Sequence, residues 1–264
     1  VLISGACGFI GHHVVEHLIK NTDFEIIALD KLSYASSGFD RLRDINCYNE
    51  ERVLKLTSDF SRPIEPGIIQ EIGEVDYILH LGAETHVDNS IENPEPFVMS
   101  NVVGTMHMLD YARKLKSLKL FIMFSTDEVY GPAPEGVNFK ETDRYNSTNP
   151  YAATKAGSEQ LALAYANTYR VPVIITNTMN AIGQRQSIEK FLPMTMRKVW
   201  LGEEITIHAN KDLTKAGSRF YIHCRNIAAA LLFLMKNGKF RESYNIVGDV
   251  EVDNLQLAQM VADI

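Results

Sequence analysis

Short apolar runs recur along the chain, and between them apolar residues fall three and four positions apart. Val1-Leu2-Ile3-Ser4 is the first run, and Val14, Val15, Leu18 and Ile19 form the helical stripe behind it. Ile26 to Asp30, Val53 to Leu56, Val75 to Leu81, Leu120 to Ser125 and Val173 to Thr176 read as further strands. Phe97 to Leu115 and Tyr151 to Tyr169 read as long helices. The run at 120–125 is apolar at every position but its last, as a strand covered on both faces requires. Strands alternating with helices predict an α/β fold, a doubly wound, Rossmann-like parallel sheet that binds ligands beyond the carboxyl ends of its strands. From Gly183 the rhythm is lost. We therefore expect one domain over residues 1–180. Residues 181–264 should form a smaller C-terminal substrate-capping portion, interleaved with the sheet. Val1 lies inside the first strand, and the apolar-periodic helix at 255–264 stops without a cap. The sequence is expected to be a fragment, truncated at its C-terminus.

Chemistry-bearing residues sit where these elements change. Gly5, Gly8 and Gly11 follow the first strand and open the first helix, with a GxxGxxG spacing. Glycines there let backbone approach a pyrophosphate, which then rests on the free N–H groups of the helix N-terminus. Asp30 ends the second strand, nineteen residues past Gly11. An acid at that distance accepts hydrogen bonds from the adenosine ribose and favours NAD over its 2′-phosphorylated relative. Further on, Ser125-Thr126-Asp127-Glu128-Val129-Tyr130-Gly131 is followed by Tyr151-Ala152-Ala153-Thr154-Lys155. Tyr151 and Lys155 fall one turn apart on one helix face, where an ammonium favours tyrosinate and makes the phenol a base. The two stretches together offer two carboxyls, a hydroxyl, a phenol and an amine to one site.

Composition narrows the classes. The chain has 264 residues, 45% hydrophobic and 22% charged, with a net charge of −7. That balance argues against a nucleic-acid surface. Cys7, Cys47 and Cys224 lack metal-ligand spacing and read as reduced thiols. Glu84 and His86 have no third ligand at a sensible spacing, so no metal is expected. With no apolar run of membrane-spanning length and no signal-peptide pattern, we expect a cytoplasmic protein with no membrane partner.

Six segments carry a family resemblance: Gly5 to Gly11, Asp30-Lys31-Leu32-Ser33-Tyr34, His80 to Asp88, Asn101 to Thr105, Ser125 to Gly131, and Asn149 to Lys155. Together they resemble the extended short-chain dehydrogenase/reductases, and more narrowly the nucleotide-sugar 4,6-dehydratases. The resemblance implies an NAD-dependent hydro-lyase acting on a nucleotide-diphosphate hexose, with dTDP-glucose as the best-known substrate of the group. Tyr151 with Lys155 would take the carbon-4 hydroxyl proton, helped by Thr126, as NAD accepts the hydride. Glu128 would remove the carbon-5 proton and Asp127 protonate the carbon-6 hydroxyl, since neighbouring acids can hold opposite protonation states. NADH would then return its hydride to carbon 6.

Cofactor contacts are implied at Gly5, Gly8, Phe9, Ile10, Gly11, Asp30, Lys31, Ser33, Asp59, Phe60, Leu81, Ala83, Thr85, Ser100, Tyr151, Lys155 and Ala181. Substrate contacts are implied at Thr85, Thr126, Asn180, Lys190, Phe191 and Arg219. Epimerases of this scaffold usually carry small residues where Asp127 and Glu128 stand. Nonetheless a 4-epimerase, a decarboxylase and a non-catalytic NAD-binding module stay open as alternatives. The family also implies a homodimer, paired through the helices at 97–115 and 151–169. Their second apolar faces would present Met99, Met106 and Met108 on one, and Leu161, Leu163 and Tyr165 on the other. The substrate half departs from the family pattern at Ala181, Ile182 and Gln184, and at Ser218 to His223, which leaves base and sugar open.

Overall fold

Every residue of Leu2–Ser4 (β1) and of Leu120–Thr126 (β5) is buried, as strands covered by helices on both faces must be. The computed structural model describes residues 1–33, 35–134 and 136–264; Tyr34 of the family motif lies outside them. The other strands are Ile26–Asp30 (β2), Val53–Thr57 (β3), Tyr77–His80 (β4), Val173–Thr178 (β6), Ala181–Ile182 (β7), Ser218–Phe220 (β8), Ile222–His223 (β9), Ser243–Ile246 (β10) and Glu251–Asp253 (β11). Among the described residues seven strands form one sheet in the order β10-β6-β5-β4-β1-β2-β3, all parallel. The chain order reverses between β1 and β4, and a crevice opens beyond their carboxyl ends at such a point.

Helices α1 (Phe9–Asn21), α2 (Asp40–Asp44), α3 (Pro66–Ile72), α4 (Val87–Glu92), α5 (Glu95–Phe97), α6 (Gly104–Ala112), α7 (Pro150–Tyr169), α8 (Phe191–Leu201), α9 (Cys224–Asn237) and α10 (Asn254–Ala262) surround the strands. Alternate strand residues feed two cores. Ile3, Leu79, Ile122 and Ile174 meet Val14 and Leu18 of α1 and Ile227 and Leu231 of α9. Leu2, Ile78, Phe121 and Val173 meet Met108 and Leu109 of α6 and Ala162 and Ala166 of α7. Each fully buried Leu or Ile contributes about 1.5–3 kcal/mol, so these layers hold the crevice walls in place. No helix among the described residues is long and apolar enough to cross a membrane.

One expectation changes. The helix read at 97–115 runs from Glu95 to Ala112 and is broken at Val98–Val103 by a π-helical turn. A π turn inserts one residue and rotates everything after it by about 100°. Met108, expected on the outer face with Met99, is 0% exposed in the core, since nine residues at about 100° each place it half a turn from Met99, which is 42% exposed. An edge strand not read from the sequence, β10, comes from the C-terminal portion and pairs with β6. Its sequence Ser-Tyr-Asn-Ile is too short and too polar to announce a strand.

Candidate active site

Gly5 turns out of β1 at φ 72°, and a Cβ there would stand 2.7 Å from the Cα of Gly82. The loops after β1 and β4 thus touch, and only a glycine fits between them. Gly8 precedes α1 with no side-chain cap, the first turn carries no acid, and Phe9 and Ile10 open the helix half-buried. A Cβ on Gly11 would lie 2.0 Å from the Gly5 carbonyl oxygen, so this glycine is what seats the helix on the loop. The N-terminal N–H groups of α1 consequently meet no competing side-chain oxygen, the arrangement an anionic pyrophosphate needs. Asp30, 5% exposed, accepts from the Cys7 N–H at 2.9 Å and the Leu32 N–H at 2.8 Å, and burial pushes its carboxyl up.

Around this loop, Lys31 pairs with Glu84 at 2.6 Å, and the Ser33 carbonyl accepts from Ser36. Asp59 is exposed and accepts from the Ser61 N–H. Leu81 and Ala83 are half-buried at the end of β4, and Ala181 lies in β7. Thr85 lines a cleft of about 500 Å³ together with Arg41, His86, Arg185, Glu189 and Lys190. Phe60 lies elsewhere: its ring packs beneath Gly82 and Gly104 and edge-on to His80, so any part it plays at the cleft falls to its backbone. Ser100, on the π turn, is buried with its hydroxyl unpartnered. An unclaimed helix terminus and an orphaned buried hydroxyl fit a dinucleotide.

The second cluster forms where β5 ends. Thr126 leads into a short 3₁₀ turn at Asp127–Tyr130; its hydroxyl donates to Asp127 and accepts from the Glu128 N–H, both at 3.3 Å. The same hydroxyl favours the ionised Tyr151 phenol. Asn149 caps α7 by accepting from the Ala152 N–H at 2.8 Å, and its amide donates to Glu128 Oε2 at 2.9 Å. This one residue therefore orients both the helix that carries Tyr151 and the Glu128 carboxylate. Burial first, then the Glu128 charge beside it, pushes the Asp127 carboxyl up to about 6, against the pull of Arg219.

Lys155 is buried one turn along α7 from Tyr151. Its ammonium donates to the Phe124 carbonyl at 2.7 Å, and burial lowers it to about 8. Burial, then Glu128, pushes the Tyr151 phenol above its ordinary value, with only Thr126 opposing them.

On the substrate side, Lys190 stands just before α8 with no side-chain cap bond, and Phe191 is the helix's first residue. Burial lowers the Lys190 ammonium while the Glu128, Glu189 and Asp88 charges hold it up, which places Lys190 in reach of the triplet. Arg219, exposed on β8, also faces Asp127. Asn180 is exposed, and its carbonyl accepts from the Ile222 N–H at 3.0 Å. Three residues were missed from the sequence: Asn149, Asn177 and Glu159. Asn-Pro at a helix start signals a cap, and Glu159 stands four residues past Lys155, the spacing of a helical ion pair. Nothing in the sequence signals Asn177.

Comparison with known proteins agrees with this geometry. The family model described as "NAD dependent epimerase/dehydratase family" matches residues 1–247. The dTDP-glucose 4,6-dehydratase of Salmonella typhimurium is 36% identical over 284 residues, covering 100% of this chain and 76% of that protein. The crystal structure of DesIV, a dTDP-glucose 4,6-dehydratase from Streptomyces venezuelae with NAD bound, superposes with a TM-score of 0.90. It is 31% identical and the match covers 99% of this chain and 80% of the other. The UDP-glucose 4-epimerase of Thermus thermophilus, 24% identical over 99% of this chain and 82% of its own, reaches a TM-score of 0.85 and shares the fold. As the motifs implied, the chain belongs to the NAD-dependent epimerase/dehydratase family of extended short-chain dehydrogenase/reductases, among homologues that are dTDP-glucose 4,6-dehydratases.

Proposed function

We propose that the protein is a nucleotide-sugar 4,6-dehydratase, acting on a dTDP-linked hexose with NAD kept bound through the cycle. The observation that carries this reading is Asp127, raised to about 6 beside Glu128. A protonated acid next to a second carboxyl is what loss of water across carbons 5 and 6 requires, and a 4-epimerase has no use for it. Bound NAD would supply the redox exchange, accepting the carbon-4 hydride and giving it back at carbon 6. Tyr151 removes the carbon-4 hydroxyl proton while Thr126 orients that hydroxyl. The ketone so formed acidifies carbon 5, and Glu128, steadied by Asn149, removes its proton. Asp127 protonates the carbon-6 hydroxyl, which leaves as water. Glu128 returns its proton to carbon 5, and the proton held by Tyr151 replaces the one Asp127 gave up, so the cycle closes with loss of one water.

Gly5, Gly8, Phe9, Ile10 and Gly11 would cradle the pyrophosphate, and Asp30 the ribose. The portion from residue 181, apart from β10 and α9, would hold the nucleotide end, with Lys190, Phe191 and Arg219 on the diphosphate and base. A homodimer through the helical stretches at 97–115 and 151–169 and a cytoplasmic location complete the reading. The exposed Met99 supports the first, and three free, buried cysteines the second. The test is mass spectrometry of sugar nucleotides after incubation with dTDP-, UDP-, CDP- and GDP-hexoses in parallel. Loss of one water from one donor is the expected result. Unchanged mass with interconversion of glucose and galactose forms would make the protein an epimerase instead.

A further inference from the structure

The mechanism leaves one buried charge unused. Glu159 lies one turn beyond Lys155 on α7 and is 0% exposed. Its Oε1 accepts from the Ser125 hydroxyl at the end of β5 and from Asn177 Nδ2 on β6 at 2.9 Å, and its Oε2 accepts from the Tyr145 hydroxyl in the loop before α7. Burial pushes this carboxyl up, and the bonds from Ser125, Tyr145 and Asn177 and the Lys155 charge favour its ionised form. Asn177 Nδ2 also donates to the Thr126 carbonyl at 3.3 Å. One carboxylate therefore joins two strands, a loop and the helix around the reacting groups. Lys155, 4% exposed on the same face, is a buried cation, and an unpaired ion in such surroundings is unfavourable by several kcal/mol.

We propose that Glu159 is a positioning residue for the reaction. Its carboxylate keeps the Lys155 ammonium charged and fixes Ser125, Tyr145 and Asn177 so that Thr126 meets the Tyr151 phenol. This rests on the reading of Tyr151 and Lys155 as reacting groups. The other titratable groups facing the pair are His80 on β4, Tyr130 and Tyr145 from the turn and loop, Tyr151 on α7, and Asp127 and Glu128. His80 is held neutral by burial and β6 contributes only uncharged Thr176, Asn177 and Thr178. Glu159 is thus the carboxylate that Lys155 answers to first.

The experiment follows the Lys155 titration by NMR in protein labelled with lysine ¹³Cε, the signal identified by its loss in Lys155→Arg. No substrate is needed, so failure of the dehydratase reading, seen as no turnover of any donor, leaves this measurement intact. Glu159→Gln should lower the Lys155 midpoint by about one pH unit, and Glu159→Asp, with the charge withdrawn by one methylene, by less. The alkaline limb of carbon-4 oxidation should move in the same order. An unchanged midpoint in either folded variant, with only a lower melting temperature, overturns the proposal. If Glu159→Gln does not fold, Glu159→Asp decides alone by the same criterion.

Discussion

Asp127 carries opposing demands. A carboxyl raised to about 6, from 3.8, is poised to give up a proton, yet once ionised it sits poorly in its surroundings. Because the folded value is raised, the associated stability is present below about pH 4 and lost as pH rises through about 6. Asp127→Asn should remove that loss, leaving the variant more stable than the wild type at pH 8 by about 2 kcal/mol and little changed at pH 4. Denaturant melts at the two pH values measure it; equal differences at both would contradict the assigned shift. The same variant should lose dehydration by roughly 100-fold or more while retaining carbon-4 oxidation, read in single turnovers. Tyr151, Lys155 and the glycines were legible at this scale because their chemistry follows from residue type and local spacing. The Asp127 shift was foreseen only as a possibility of paired acids, since burial is set by distant segments.

At the scale of elements, the start of α7 links stability to catalysis through Asn149. Asn149→Ala removes the helix cap, worth about 1 kcal/mol, and the donor to Glu128. Asn149→Ser keeps the cap but does not reach the carboxylate. We expect both variants to slow carbon-5 proton removal by about tenfold. Only the alanine variant should melt at clearly lower denaturant, and matching stabilities would show that the cap carries nothing. Strands β1, β2, β5 and β6 and helix α7 stood out in the sequence because their periodicity is local. The π turn did not. Its widened hydrogen bonding turns Asn101 toward Glu84, where the amide accepts from the Glu84 N–H at 2.8 Å and donates to the Glu84 carbonyl at 3.0 Å.

For the whole molecule, a cofactor held across the carboxyl ends of β1 and β4 should act as a clamp. At a hundredfold excess over its dissociation constant, NAD should stabilise the fold by about 2.7 kcal/mol, a rise in melting temperature of roughly 5–10 °C. NADP at the same concentration should give a smaller rise, because the buried Asp30 carboxylate disfavours a 2′-phosphate. Thermal melts with each dinucleotide test this, and equal shifts would remove Asp30 from the ribose site.

The sequence by itself determined the wound α/β order, the glycine turn, the acid ending β2, the Thr-Asp-Glu triplet and the Tyr-Lys pair. Each follows from hydrophobic period or from residues adjacent in the chain. Tertiary structure alone decided that the helix at 97–115 breaks at Val98–Val103, that Phe60 fills the space beneath Gly82, and that β10 joins the sheet's edge. It also directed the Lys155 ammonium at the Phe124 carbonyl, with Glu159 behind it. These outcomes depend on which distant segments exclude water from a side chain, and no local pattern encodes that.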